Sequence, residues 1–384
     1  MSNLKRISIV PNLACERAGM KQYASILKKY DFAPTTEGPF QMVDVATKNL
    51  KNFFKPKDKK ATTPVLRKVE DDKTGEVKAE DQQNDALYIC PLWSTELDRE
   101  TKVAGIKSKH NVFDAKASKT FKKMNGASWR IRYGDGSTAS GIVGTDNVTL
   151  GGLCIEGQAI ELASKLSPQF TSGAGDGLLG LAFGHINTVK PKKVATPVEQ
   201  MILQSDIPSS QELFTFLSRC GVSEPHYVPI DPSKGFWQFS SPTATLNGEI
   251  IQRPPGNTAI ADTGTTLALV DDALCEKIYS TIPGAVYDKA HQGWTFPIGT
   301  KISDLPTLAL AVGDKEFEVQ KEDFGFAKCG AGMQYGGIQS RGKSEFDIFG
   351  DTWLKGVYAI FDQGKKRFGT VQRVEGMQNL AVPK

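Results

Sequence analysis

The sequence predicts an all-β protein of two-domain size, and three observations lead there. Its 384 residues suffice for two domains, each with a good core. Thirty-seven glycines and twenty prolines are many, as expected where short strands meet at tight turns. The third observation is the stretch Ile260-Ala261-Asp262-Thr263-Gly264-Thr265-Thr266-Leu267-Ala268-Leu269. One apolar run delivers an aspartate into a Thr-Gly-Thr-Thr turn, and a second apolar run follows. Gly264 lets the backbone turn tightly, and the threonine hydroxyls are able to hydrogen-bond a carboxylate held there. Taken alone, Asp-Thr-Gly also reads as an ordinary turn. Its apolar flanks favour a held carboxylate.

Composition narrows the class. The apolar content of 39% and charged content of 23% are those of a soluble globular protein. The net charge of +4 is modest, and residues 48–78 carry ten Lys/Arg against five Asp/Glu. Such a basic run reads as a solvated linker, so no nucleic-acid partner is expected. No run of eighteen apolar residues exists, and no membrane partner is expected. Residues 1–13 lack the continuous apolar core of a signal peptide. The six cysteines (Cys15, Cys90, Cys154, Cys220, Cys275, Cys329) show no Cys-x-x-Cys spacing, and the four histidines are scattered. This gives poor support to a structural zinc or a His-based nucleophile, and no metal or organic cofactor is expected.

Taken in order, residues 14–30 read as a helix, with Met20, Tyr23, Ile26, Leu27 and Tyr30 at helical spacing. Lys29 and Tyr30 close it, where a cation suits a helix C-terminus. Residues 32–83 have much charge and little periodicity and read as a flexible linker. Ser128-Trp129-Arg130-Ile131-Arg132-Tyr133-Gly134-Asp135-Gly136-Ser137 alternates into a glycine-rich turn and reads as a hairpin. Asn147-Val148-Thr149 is a glycosylation sequon, meaningful only in the secretory pathway. Asp176-Gly177-Leu178-Leu179-Gly180-Leu181-Ala182-Phe183 reads as an apolar strand whose glycines allow close backbone approach. Further helices are expected at 197–204 and 271–279, and strands at 308–312 and 357–362. Phe346-Asp347-Ile348-Phe349-Gly350-Asp351 is a second apolar strand ending in Gly-Asp.

These motifs, in this order, resemble the pepsin-like aspartic endopeptidases, most closely the secreted fungal aspergillopepsin and penicillopepsin type. The resemblance is weak over residues 8–30 and strong over 84–372. It implies a bilobal all-β fold: a propeptide-like segment and charged linker at 1–83, an N-terminal lobe at 84–217 and a C-terminal lobe at 218–384. Asp262 would be catalytic, supported by Thr263, Gly264, Thr265 and Thr266. Tyr133, Gly134, Asp135 and Ser137 would form the flap over a bound peptide, a plain hairpin tip being the alternative. Lys29 and Tyr30 would be the propeptide pair that neutralises the active site until acid releases it; a plain helix end remains the other reading. The substrate would be an extended polypeptide with apolar side chains about the cut bond. An acid optimum, self-removal of the segment before about Asp85, an extracellular location and a monomeric state are likewise implied. The second-lobe disulfide common in fungal members is expected to be absent, since Ile298, Gln334 and Tyr335 stand near its positions.

Two departures from the pattern matter. Between Leu87-Tyr88 and Leu92-Trp93-Ser94-Thr95-Glu96-Leu97 stand only Ile89-Cys90-Pro91, where the family has further strands and its first Asp-Thr-Gly. A second block is short between Ser218 and Gly235. The first lobe is therefore expected to be incomplete. Aspartic proteases activate water between two carboxylates that share one proton, because like charges so close cannot both ionise. Asp262 alone supplies one of the two roles, so weak or absent catalysis is expected. Three readings stand: an endopeptidase whose expressed transcript carries the missing segment, a non-catalytic pseudoprotease that binds peptides, and a paired assembly contributing Asp262 from each chain. The last ranks lowest, because an intact first lobe would obstruct the approach.

Overall fold

A computed structural model describes residues 9–10, 18–40, 79–82, 87–89, 93–94, 112–133, 137–150, 153–171, 176–217 and 224–373. The charged stretch at 41–78, the junction at 90–92, the tip expected to form the flap at 134–136 with Gly134 and Asp135, and the junction at 218–223 lie outside them. So does the sequence expectation of an incomplete first lobe.

The fold is all-β. In the first lobe, Lys122–Arg132, Thr138–Leu150 and Leu153–Leu166 form an antiparallel meander, with Trp93–Ser94 paired to Thr138–Leu150. Trp129 is buried beside Val143 and Val189, and its indole N–H donates to the Leu162 carbonyl. The Pro197–Gln204 helix falls where the sequence places it. Thr196 and Glu199 close a reciprocal capping box at its start, satisfying two otherwise orphan amides. One expectation fails here: residues 176–183 form no strand, and Leu178 is more than half exposed. Among the described residues no neighbouring strand offers them a ladder, and an apolar run without a ladder partner does not become a strand.

The second lobe is built on a five-stranded sheet in the order Gln238–Ser240, Thr258–Ala261, Phe346–Phe349, Ala268–Val270 and Ile338–Ser340. Continuous burial of Ala259 to Ala261 and of Ala268 to Val270 explains their unbroken apolar sequences, since both faces are covered. Two four-stranded sheets flank it, one including Leu308–Val312 and the other Gly293–Pro297. Leu213–Leu217 pairs with Val357–Asp362, which pairs in turn with Arg367–Gln372. Aromatic rings fill the main core: Phe239 stacks on Phe368 and Phe214 on Phe361, each at 4.8 Å. The Asp272–Ser280 helix is capped by Asp271, whose carboxylate accepts the Leu274 amide.

The N-terminal helix spans Gly19–Lys29 and lies on the second lobe. Tyr23, Ile26 and Leu27 bury one stripe against Ile260, Leu267, Phe326, Tyr335 and Ile348. The helix has no side-chain N-cap and no acidic first turn, so its stability comes from this packing. Gly19 allows the approach: a Cβ there would sit 2.2 Å from the Tyr335 ring. The sequence reading of residues 32–83 as linker needs correction at its start. Phe32 is buried in the same cluster and residues 33–40 hydrogen-bond to the second lobe. Their hydrogen-bond partners lie far away in sequence, so local composition does not show them.

Candidate active site

The Asp262 turn is a loop between two strands that hold a third between them. Thr258–Ala261 runs parallel to Phe346–Phe349, and Ala268–Val270 pairs antiparallel with the same strand on its other side. The turn therefore sits at the end of Phe346–Phe349, where Gly350 passes beneath it. A Cβ on Gly350 would come within 2.3 Å of the Thr265 carbonyl and 2.4 Å of the Leu267 carbonyl. Only glycine fits. The Asp351 amide donates to the Thr265 carbonyl and the Thr352 amide to the Thr266 carbonyl, each at 2.8 Å. Thr352 Oγ1 donates to that same Thr266 carbonyl at 3.0 Å. These bonds fix the turn from below, so Asp262 is held by backbone rather than by chance of rotamer.

The carboxylate is then surrounded from above. The Gly264 amide donates to Asp262 Oδ1 at 3.1 Å. Thr265 Oγ1, itself buried, donates to Oδ2. Thr266 is buried and Thr263 half-buried in the same turn. Lys29 Nζ reaches Oδ2 at 2.5 Å and also donates to the Gly264 carbonyl at 2.7 Å and to Thr265 Oγ1 at 3.1 Å. The Tyr30 hydroxyl donates to the same Oδ2. The Tyr30 ring is held edge-on by Phe236 and Phe346, with centroids 6.0 and 6.1 Å away. Two successive residues of the N-terminal segment thus close over one carboxylate.

The electrostatics follow from these contacts. Burial raises the Asp262 pKa, but the Lys29 ammonium and the hydrogen bonds from Lys29, Thr265 and Tyr30 outweigh it. The carboxyl is left below the ordinary aspartate range. Tyr30 moves the other way, because burial and the adjacent Asp262 charge hold its phenol protonated and able to donate. Among the described residues, Lys29, Tyr30 and Thr265 are the side chains that hydrogen-bond Asp262.

The structure brings together Asp262, Gly264, Thr265, Lys29 and Tyr30. Of the sequence-predicted flap residues, Tyr133 and Ser137 sit in the first-lobe hairpin, where the Tyr133 amide donates to the Ser137 carbonyl at 2.9 Å. The Tyr133 ring packs against Phe170 with centroids 5.3 Å apart. Sequence reasoning missed a buried charge cluster behind the turn. Asp347, fully buried, contacts Arg253 at 2.8 Å, Arg341 at 2.9 Å and Asn257 at 3.0 Å, and Arg253 also pairs with Asp271 at 2.6 Å. The signal was present: an Asp inside the otherwise apolar strand Phe346–Phe349 demands a paired partner.

A family model described as eukaryotic aspartyl protease matches residues 91–373. Aspergillopepsin-1 of Aspergillus oryzae is 35% identical over 323 residues, covering 77% of this chain and 81% of that protein. Penicillopepsin-1 of Talaromyces stipitatus is 36% identical over 273 residues, covering 68% of each. Among solved structures, the aspartic proteinase from Irpex lacteus aligns with a TM-score of 0.55 and 22% identity, over 68% of this chain and 85% of that one. That last likeness speaks to the fold alone. With a matched span well over half its length and a carboxylate presented on a Thr-Gly-Thr-Thr turn above a Gly-Asp strand end, the chain belongs to the eukaryotic aspartyl protease family.

Proposed function

We propose that the protein is an aspartic endopeptidase that hydrolyses peptide bonds of polypeptides, with Asp262 as a catalytic carboxylate and residues 19–40 as its inhibitory segment. The observation that carries this reading is the convergence of Lys29 and Tyr30 on Asp262. A half-buried carboxylate kept ready by Thr265 and the Gly264 amide, and neutralised by a lysine from a distant segment, suits a catalytic group stored in a closed form. Once the segment leaves, Asp262 is free to share in activating a water for attack on a peptide carbonyl. Tyr133, Gly134, Asp135 and Ser137 would close over the substrate. Relatives named aspergillopepsin and penicillopepsin support a protease of pepsin type; work in acid, an extracellular location and a monomeric state without metal or cofactor are carried over from the family resemblance as part of this reading.

A specific observation keeps a second reading in play. The sequence holds Asp-Thr-Gly once, at Asp262, so the partner carboxylate has no matching motif. On that reading the chain is a non-catalytic pseudoprotease that binds peptides in its cleft. One experiment separates the two. The full chain is incubated at acid pH with a fluorogenic peptide, with and without a peptide-like transition-state inhibitor, beside Asp262→Asn. Inhibitor-sensitive cleavage that falls by at least about 100-fold in Asp262→Asn is expected for the endopeptidase. Inhibitor binding without cleavage establishes the pseudoprotease, and neither binding nor cleavage sinks both.

A further inference from the structure

The segment that follows Tyr30 does more than trail away from the carboxylate. Phe32 is buried beside Tyr23 and Leu27, and the Lys343 amide donates to the Ala33 carbonyl at 2.9 Å. Thr35 Oγ1 lies 3.3 Å from Ser340 Oγ. The Tyr287 hydroxyl donates to the Glu37 carbonyl at 2.7 Å, and Glu37 pairs with Lys289. Gln292 then grips one residue from both sides. Its Oε1 accepts the Phe40 amide at 2.6 Å and its Nε2 donates to the Phe40 carbonyl at 2.9 Å. The same Nε2 reaches the Thr36 carbonyl at 3.4 Å.

This is the donor–acceptor pairing that a neighbouring strand offers to a residue of an extended chain, here supplied by a side-chain amide. Gln292 is built for it. With the segment in place the residue is 1% exposed, and the Tyr335 hydroxyl donates to its backbone carbonyl at 3.1 Å. Gly293 makes room for that tyrosine, because a Cβ there would meet the hydroxyl at 2.2 Å. Contacts to main-chain atoms, with one amide reaching the carbonyls of both Thr36 and Phe40, specify a polypeptide bent around Gln292, whatever its sequence. Selectivity is added at three points. A Cβ on Gly38 would lie 2.3 Å from the Gln292 side chain, so glycine suits that position. Lys289 favours an acid one residue earlier, and Phe40 packs its ring on the second-lobe cluster.

We propose that Tyr287, Lys289, Gln292 and Ser340 form a second polypeptide-binding subsite that reads an acidic-Gly-x-aromatic sequence bent around the Gln292 amide. Glu37-Gly38-Pro39-Phe40 fills it in the closed chain, and a polypeptide substrate of the same pattern docks there once that segment is displaced. The role in substrate docking rests on the endopeptidase reading; the binding itself does not.

The test uses the full chain carrying Glu37→Lys and Gly38→Val, which reverses the ion pair and crowds Gln292. The probe is a fluorescent octapeptide of the sequence Ala-Pro-Thr-Thr-Glu-Gly-Pro-Phe, which lacks the Lys-Tyr pair, followed by anisotropy. We expect the vacated chain to bind it at least about tenfold more tightly than the unaltered chain. Adding Gln292→Leu, which keeps the volume and removes both hydrogen bonds, should cost about tenfold or more. A folded Gln292→Leu chain, checked by its unfolding midpoint, that still binds the octapeptide as tightly overturns the proposal. Equal binding of a scrambled octapeptide overturns it too, as does equal binding by vacated and unaltered chains. Octapeptide binding that persists while the chain neither cleaves peptides nor binds a transition-state inhibitor leaves the subsite standing and the endopeptidase reading lost. Cleavage with octapeptide binding indifferent to Gln292 gives the reverse.

Discussion

At the scale of single residues, Asp262 and Lys29 set a pH dependence whose sign is determined by their contact. The closed arrangement holds Asp262 below the ordinary aspartate pKa, so it favours the ionised form. The stabilisation of the closed form is therefore present above the ordinary value and is lost as pH falls through the depressed one. The segment should stay docked at neutral pH and loosen below about pH 4. Hydrogen exchange of residues 19–29 against pH checks this; protection unchanged down to pH 2 would contradict it. Lys29→Met should move the loosening to higher pH, because it removes the largest favourable influence on the Asp262 charge. Tyr30 and Thr265 still donate in that variant, so docking is expected to weaken rather than vanish.

Among elements, the Gly19–Lys29 helix and the Asp262 turn depend on packing of different kinds. Burying Tyr23, Ile26 and Leu27 contributes about 1.5–3 kcal/mol for each side chain, which is the main force docking a helix that lacks a good cap. Tyr23→Ala should therefore undock the helix while leaving the second lobe folded. Exchange protection would fall over 19–29 and persist over 258–261; parallel loss in both would show that the helix is integral to the lobe. The turn has no such freedom. Gly350→Ala pushes a methyl into two backbone carbonyls that cannot swing aside, and a destabilisation of about 1–3 kcal/mol or more is expected. A shift in urea midpoint measures it. A neutral result would mean that the Asp262 turn yields more readily than its hydrogen bonds indicate.

For the whole molecule, the buried cluster of Asp347, Arg253, Arg341, Asn257 and Asp271 ties the central sheet to the Asp272–Ser280 helix and to the loop after Ile338–Ser340. Removing one of its charged members leaves the opposite charges buried without a full partner. Asp347→Ala strands two guanidiniums, of which Arg253 retains only Asp271, and should cost about 3–5 kcal/mol in chemical unfolding. A loss under about 1 kcal/mol would show that water or a rearranged carboxylate reaches the cluster. Asp271 adds a second pH effect. Burial raises its pKa, but Arg253 and the Leu274 amide dominate and leave it depressed. Its stabilisation is present at neutral pH and is lost as acid carries the pH through that lowered value.

Much of this was legible in the chain itself. The apolar runs on either side of Asp262 and Gly350, the threonines at 265 and 266 and the Pro197–Gln204 helix with its capping box are local patterns, and local patterns survive in sequence. Helical spacing likewise placed Tyr23, Ile26 and Leu27 on one stripe. Tertiary structure alone decided what met across the chain. Lys29 finds Asp262 over 233 positions, and Phe40 finds Gln292 over 252. Residues 32–40 looked like linker because their hydrogen-bond partners are remote, and residues 176–183 looked like strand because an apolar run does not reveal whether a ladder awaits it. The physical reason is the same in both cases. Propensity and periodicity describe a segment against water, whereas a strand, a clamp or a buried ion pair exists only through the groups that the rest of the fold brings to it.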